Sequence, residues 1–274
     1  MLNGTHSPVK PPSRPAVFWL LLAFTLLVAA FLIVPVILSV LTGLTNNAFT
    51  GISSGLTFKW VIKVWQDYQN SIWLSLKIAL ACLCLTTLLG VPLAYVLSRS
   101  QGAIARSLEE LLMLPVAIPG LATGLALIVT YGAVGDFRTH WTFILVGHVL
   151  FTLPFMVRSV LAVMLSVDMH TLEEGARSLG ASFLQRFITI VLPNCRSGIL
   201  AGALMVVTLS IGEFNMSLLL HTPLTQTLPV GLADAYASLR IEVGSAYTIV
   251  FLLMIIPLLI ALQWAAGLSQ KNKP

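Results

Sequence analysis

The chain has 274 residues, 57% of them hydrophobic and only 9% charged, with a formal net charge of +5. A soluble domain carries about a quarter charged residues, so this composition excludes a water-soluble globular protein and indicates one embedded in a membrane. The Lys and Arg residues are scattered, with no basic run long enough to hold nucleic acid, and in such a chain they orient the protein across the bilayer.

Residues 1–15, with four prolines, Lys10 and Arg14, read as a short cytoplasmic tail. Residues 16–41 contain no charge. A signal-peptide core is about 7–15 residues long, so this run reads as an uncleaved first membrane span. Residues 42–70 form a polar loop in which Trp60, Val61, Val64, Trp65 and Tyr68 recur at helical spacing. They fit either an amphipathic helix on the membrane surface or a loop packed on the bundle. The second span covers about 71–97, with Lys77 near its outer end. The third, about 108–131, contains Pro115, Pro119, Gly120 and Gly124; interrupted helices of this kind are tolerated where neighbours satisfy the backbone. The fourth is about 142–165, with His148 read as a hydrogen-bonded packing residue.

A polar passage follows at 166–195. Thr171 and Glu174 have capping-box spacing, and Leu172, Ala176 and Leu179 share a helical face. Gly180 then suits a helix end that needs a left-handed residue. Ser182 and Gln185 repeat the capping-box spacing, Phe183, Phe187 and Ile190 make a second apolar face, and Pro193 is expected to end that helix. The result is a pair of short capped helices about a hinge. The fifth span, about 197–220, opens on Gly198 and Gly202 and contains Glu213. Ser210, Met216 and Ser217 lie on the Glu213 face of a continuous helix. An intramembrane carboxylate is costly and is a functional candidate by default: Glu213 either lines a solute path or bonds structurally to a neighbour. Residues 221–243 read as a polar, turn-rich loop, and 244–266 as the sixth span.

No phosphate-binding G-x-x-x-x-G-K-[ST], no H-E-x-x-H and no G-x-S-x-G occurs. His6, His140, His148, His170 and His221 show no i, i+4 pairing, and Cys82, Cys84 and Cys195 have no C-x-x-C spacing. The sequence implies no catalytic residues, no cofactor and no metal, so any energy input has to come from a partner.

Glu174, Gly180, Ile190, Leu192 and Pro193 stand as E-x-A-x-x-x-G-x9-I-x-L-P, with Gly175 and Ala176 in the two small-residue positions. This resembles the cytoplasmic coupling loop of the membrane subunits of ATP-binding-cassette importers. The stretch Asn70 to Ala79, NSIWLSLKIA, is similar to the start of their core. The resemblance implies an all-α protein of six transmembrane helices, type I importer permease-like, with both termini cytoplasmic. It divides the chain into a tail (1–15), a first helix and periplasmic segment (16–69), a permease core (70–266) with coupling helices at about 171–193, and a second tail (267–274). It implies no enzyme activity in this chain. The partners it implies are an ATPase dimer, a second permease subunit (a homologue or an identical copy), a periplasmic solute-binding protein and membrane lipid, in a bacterial inner membrane. The segments 114–124 (LPVAIPGLATG), 212–214 (GEF) and 225–230 (TQTLPV) resemble the branch serving polyamines, aminoalkylphosphonates and ferric ions, which favours a polyamine or aminoalkylphosphonate as solute. The alternative is a secondary transporter with Glu213 as its coupling-ion site.

With the N-terminus inside, Lys10, Arg14, Arg99, Arg106, Arg158, Arg177, Arg186, Arg196, Lys271 and Lys273 face the cytoplasm, whereas Lys59, Lys63, Arg138 and Arg240 face outward. A membrane-impermeant thiol reagent is therefore expected to label cysteines at Asn46, His140 and Thr225 in intact cells. Labelling of a cysteine at Ser182 under the same conditions reverses the assignment.

Overall fold

The computed structural model describes residues 16–100 and 102–271, with side chains as far as Trp264. The expected N-terminal tail with Lys10 and Arg14, and Lys273 at the other end, lie outside the described residues. The helices run in the order α1 (Ala16–Gly43), α2 (Lys59–Arg99), α3 (Ala103–Ala117), α4 (Gly120–Tyr131), α5 (Trp141–Ser166), α6 (Met169–Ser178), α7 (Phe183–Arg186), α8 (Leu192–Gly212), α9 (Asn215–Leu220), α10 (Leu228–Ala237) and α11 (Ile241–Lys271). One π turn, Phe187–Val191, joins α7 to α8. Among the described residues β pairing is confined to a single isolated bridge, Thr45 to Leu56. Five runs are long and apolar enough to cross a bilayer, and α3 with α4 makes a sixth if the bent pair is counted as one.

Helix α1 shows how far the protein relies on lipid. Its side chains are exposed along almost its whole length, Phe31 at 77%, because among the described residues it packs chiefly against α11. There Ser39 donates to the Thr248 hydroxyl (3.2 Å), and Gly43 lies against the backbone of Ser245 and Ala246. The centre of the bundle is α2, α5 and α8, whose shared core includes Ile78, Phe143, Ile144, Met156, Val160 and Val206. Lipid tails are as apolar as these side chains, so burial by itself draws the helices together only weakly, and close van der Waals approach decides the packing. Glycines permit that approach: Gly90 and Gly202 both face Met156, and Gly198 sits over Ser159 and Val160.

Three of the expected boundaries move. Trp60 to Tyr68 are helical and continuous with the second span in one 41-residue helix, interrupted only by the non-helical backbone of Tyr68. The packed alternative holds, but as a helix: Val64 is fully buried against Leu228, Val243 and Tyr247, and Trp60 donates to Thr45 O at 3.0 Å. The third span is interrupted as its prolines suggest, but once rather than twice: Pro115 stays inside α3, and α3 and α4 meet at 102°. Pro119 forces Ile118 into an extended conformation and then caps α4, its carbonyl accepting from Ala122 and Thr123. The segment 221–243 is not all loop: it contains α10, docked where Ser75 Oγ accepts from Leu228 N (2.8 Å) and Tyr68 Oη accepts from Arg240 (2.8 Å).

A Cβ at Gly198 would stand 2.6 Å from Ser159 O and 3.1 Å from Val160 Cα, both backbone atoms that cannot step aside. Gly198→Val is expected to lower stability by about 1–3 kcal/mol through forced separation of α5 and α8. Gly175→Ala, with open space at its Cβ, is expected to be neutral or to gain up to about 1 kcal/mol in helix propensity. Thermal melts in detergent check both.

Candidate coupling and translocation sites

Helix α6 is capped by Asp168, not by Thr171. Asp168 Oδ1 accepts from Thr171 N (3.2 Å) and Oδ2 from the Thr171 hydroxyl (2.7 Å). Those bonds, the hydroxyl's first, hold the Asp168 carboxyl below the usual carboxylate range. The expected capping box at Thr171 and Glu174 is thus one turn out of register. Thr171 is the capped residue, and Glu174 lies exposed with its carboxylate 3.4 Å from His170 Nδ1. Two carboxylates compete for this role, and the one outside the first turn wins because only there does the side chain reach back-pointing N–H groups.

Gly180 has φ +85°, with its N–H on Arg177 O and Ala181 N on Ala176 O, so the left-handed helix end expected there is present. Open space surrounds its Cα; the requirement for glycine is conformational. The second capping box is also present: Ser182 N donates to Gln185 Oε1 (2.8 Å) and Gln185 N to Ser182 Oγ. Pro193, however, does not end the helix. The chain is helical from Phe183 to Gly212. The π turn widens the coil just before Pro193, with Leu192 N reaching back to Phe187 O, and relieves the clash a proline ring makes with the preceding turn. Ile190, Leu192 and Pro193 are partly buried at this junction, and so form the root of α8.

The apolar face of α6 points away from the bundle. Leu179 is 91% exposed, Leu172, Phe183 and Leu184 are exposed beside it, and Ala176 is half-buried. The buried residues of α6 are Met169 and Glu173. Glu173 went unnoticed in the sequence. Its carboxylate takes an ion-paired hydrogen bond from Arg99 at the end of α2, a hydrogen bond from Tyr95 Oη (2.8 Å), and lies 3.8 Å from Arg186 of α7. Its partners are 74, 78 and 13 positions away, and no local spacing connects them.

The second site is the break in the expected fifth span. Helix α8 stops at Gly212, Glu213 is extended (φ −71°, ψ 114°), and α9 begins at Asn215. Ser210, Met216 and Ser217 therefore do not share a continuous helical face with Glu213. The carboxylate folds forward instead: Oε1 accepts from Met216 N (2.9 Å), and Oε2 from Ser217 N (2.9 Å) and Ser217 Oγ (3.1 Å). His148 of α5 bridges the two sides of the break, Nδ1 to Ser210 Oγ and Nε2 to Ser217 Oγ, both 2.9 Å. Because the one Ser217 hydroxyl proton goes to Glu213 Oε2, Nε2–H donates to Ser217 and Nδ1 accepts from Ser210. The Glu213 side chain is 8% exposed, and Gly120 packs over it at the α3–α4 bend while Gly124 faces Met216 and Leu219. The arrangement is a satisfied helix start inside the bundle.

Residues 86–272 match the family described as the binding-protein-dependent transport system inner membrane component. The chain belongs to this family. It is a permease subunit of a binding-protein-dependent ABC importer and a multi-pass membrane protein. It is 28% identical to the sulfate permease protein CysW of a Synechocystis strain over 71% of this chain and 75% of that one. It is 28% identical to the molybdenum permease protein ModB of Mycobacterium tuberculosis over 74% and 81%. It is 30% identical to the molybdate/tungstate permease protein WtpB of Pyrococcus furiosus over 70% and 76%. A crystal structure of a bacterial ABC transporter that imports the polysaccharide alginate contains a chain of the same fold, with a TM-score of 0.66, 16% identity and coverage of 94% and 96%. A methionine ABC transporter in an inward-facing form superposes with a TM-score of 0.58 over 74% and 95%, at 17% identity. The names of these relatives give no specific support to the polyamine, aminoalkylphosphonate and ferric branch, and the family assignment leaves no basis for the secondary-transporter alternative.

Removing the Glu213 carboxylate strands two backbone N–H groups in a largely buried position. Glu213→Ala is expected to destabilise the permease by about 1–3 kcal/mol, and Glu213→Gln by less, since an amide oxygen still accepts. Melting temperatures in detergent, beside uptake normalised to folded protein, measure this; an Ala variant that melts with the parent rules out the capping role.

Proposed function

We propose that this permease imports a tetrahedral oxyanion of the sulfate, molybdate or tungstate class. Two permease subunits, identical or homologous, form the path; two ATPase subunits dock beneath, and a periplasmic binding protein delivers the solute. The relatives named for those anions support the solute class. A physical argument runs the same way: the Glu213 carboxylate is spent on backbone and hydroxyl donors of its own chain, so it offers little to a polyamine. Both termini then face the cytoplasm, as the distribution of Lys and Arg favours.

The observation that carries the coupling role is the outward-facing apolar surface of α6 and α7, from Leu172 to Leu184, held rigid by two caps and a left-handed glycine. Glu174, Gly175, Ala176 and Gly180 lie on this projecting pair, and Ile190, Leu192 and Pro193 root it in α8. Closure of the ATPases on ATP moves the pair and biases the bundle between inward- and outward-open states.

Gly180→Val forces an L-residue into a left-handed conformation at a cost of about 1–2 kcal/mol and places a branched side chain at the bend. It is expected to insert normally, to lose co-purification with the ATPase and to lose transport. Uptake of radiolabelled sulfate, molybdate, spermidine and aminoethylphosphonate by cells expressing the system tests the solute class: saturable uptake of either oxyanion supports it, and uptake of spermidine alone overturns it.

A further inference from the structure

We infer that Glu173 is the positioning residue that carries movement of the coupling helices into α2, through its ion pair with Arg99. The inference rests on the coupling role proposed above and goes beyond it by naming the transmitting side chain.

Helix α6 has two anchors on its inner face, Met169 near its start and Glu173 in the middle. Only Glu173 is polar, its side chain 4% exposed, and it joins three elements at one point. Arg99 and Tyr95 reach it from the last turn of α2, and Arg186 from α7. Aromatic rings close over the cluster: Tyr95 packs edge-on to Phe183 and Phe187, at 5.9 and 5.5 Å between centroids, and the Arg99 guanidinium lies over the Tyr95 ring. An apolar contact slides under load, whereas a charged hydrogen bond in a shielded site resists displacement in direction as well as distance. The pair is therefore the directional link from the projecting helices to the bundle.

What it would push is a long lever. From Tyr68 to Arg99 α2 rises about 46 Å at 1.5 Å per residue, running along the core helices α5 and α8. Its far end lines an open recess of about 510 Å³, where Asn70, Ser71, Lys77 and Gln226 lie beside Trp73 and Leu224. A displacement at Arg99 thus reaches the opposite face of the bundle, where a solute must enter.

Two variants separate transmission from shape. Glu173→Gln weakens the pair from the α6 side. Arg99→Gln breaks it from the α2 side and leaves Glu173 beside Arg186, so the coupling helices keep an internal ion pair. Each is made in the full permease with a cysteine at Asn70 and assembled with its ATPase, and two quantities are read: co-purification of the ATPase, and the change that ATP with vanadate produces in maleimide labelling at Asn70. The parent should co-purify the ATPase and show the labelling change. Both variants should retain the ATPase, while the labelling change shrinks by about fivefold or more; Glu173→Asp, which keeps the charge, should recover much of it. An undiminished labelling change in Arg99→Gln overturns the inference. So does a parent that binds the ATPase yet shows no ATP-dependent change at Asn70, since α2 is then not the moving part. Loss of the ATPase from both variants also overturns it, because Glu173 then only shapes the docking surface. A parent that recruits no ATPase at all defeats the coupling role itself, a result distinct from these.

Discussion

Inside a bilayer no water takes up a stray backbone N–H or C=O, and this constraint accounts for most of the irregular features of the permease. Three of the places where a helix bends or breaks carry their own internal substitute. Pro119 starts α4 with a carbonyl already occupied, the π turn before Pro193 redirects hydrogen bonds around a residue that cannot donate, and Glu213 receives the first N–H groups of α9. Each unsatisfied group would cost several kcal/mol in such surroundings, more than the propensity differences that choose between helix and turn in water.

The two buried carboxylates solve opposite problems. Glu213 faces inward along its own segment and completes a short helix, with His148 and two serines tying the ends of the break together. It stabilises a bend within the span. Glu173 faces across segments to guanidinium groups and holds a surface pair of helices to the membrane bundle. A burial penalty on a charge is tolerated in both, because every oxygen is met by donors, but only the second arrangement joins the projecting helices to the bundle.

Packing and exposure divide along the same lines. Small residues let α5 and α8 approach until backbone meets backbone at Gly198. Helix α1 by contrast packs chiefly against α11 and presents Leu, Phe and Val to its surroundings. Apolar side chains on α6 and α7 are exposed too, yet they sit on capped polar helices beside Arg177 and Glu174, a setting suited to a protein partner more than to lipid.

The sequence by itself determined that the chain spans a membrane, roughly where its apolar segments lie, and that a hinged pair of capped helices interrupts them. These properties are local: hydropathy over twenty residues, the Ser182–Gln185 box and the left-handed Gly180 each depend on neighbours a few positions away. Tertiary structure alone decided the rest. Whether Asp168 or Glu174 works at the start of α6, whether Pro119 and Pro193 end a helix or are absorbed, and whether Glu213 continues α8 or folds forward onto α9 all turn on where a carboxylate or a proline finds its partner in three dimensions. The Glu173–Arg99 pair is the clearest case. Its members are 74 residues apart, and only the parallel course of α5 beside α2, with Lys77 near Trp141 and Gly90 near Met156, brings them together, so no periodicity or spacing along the chain could register it.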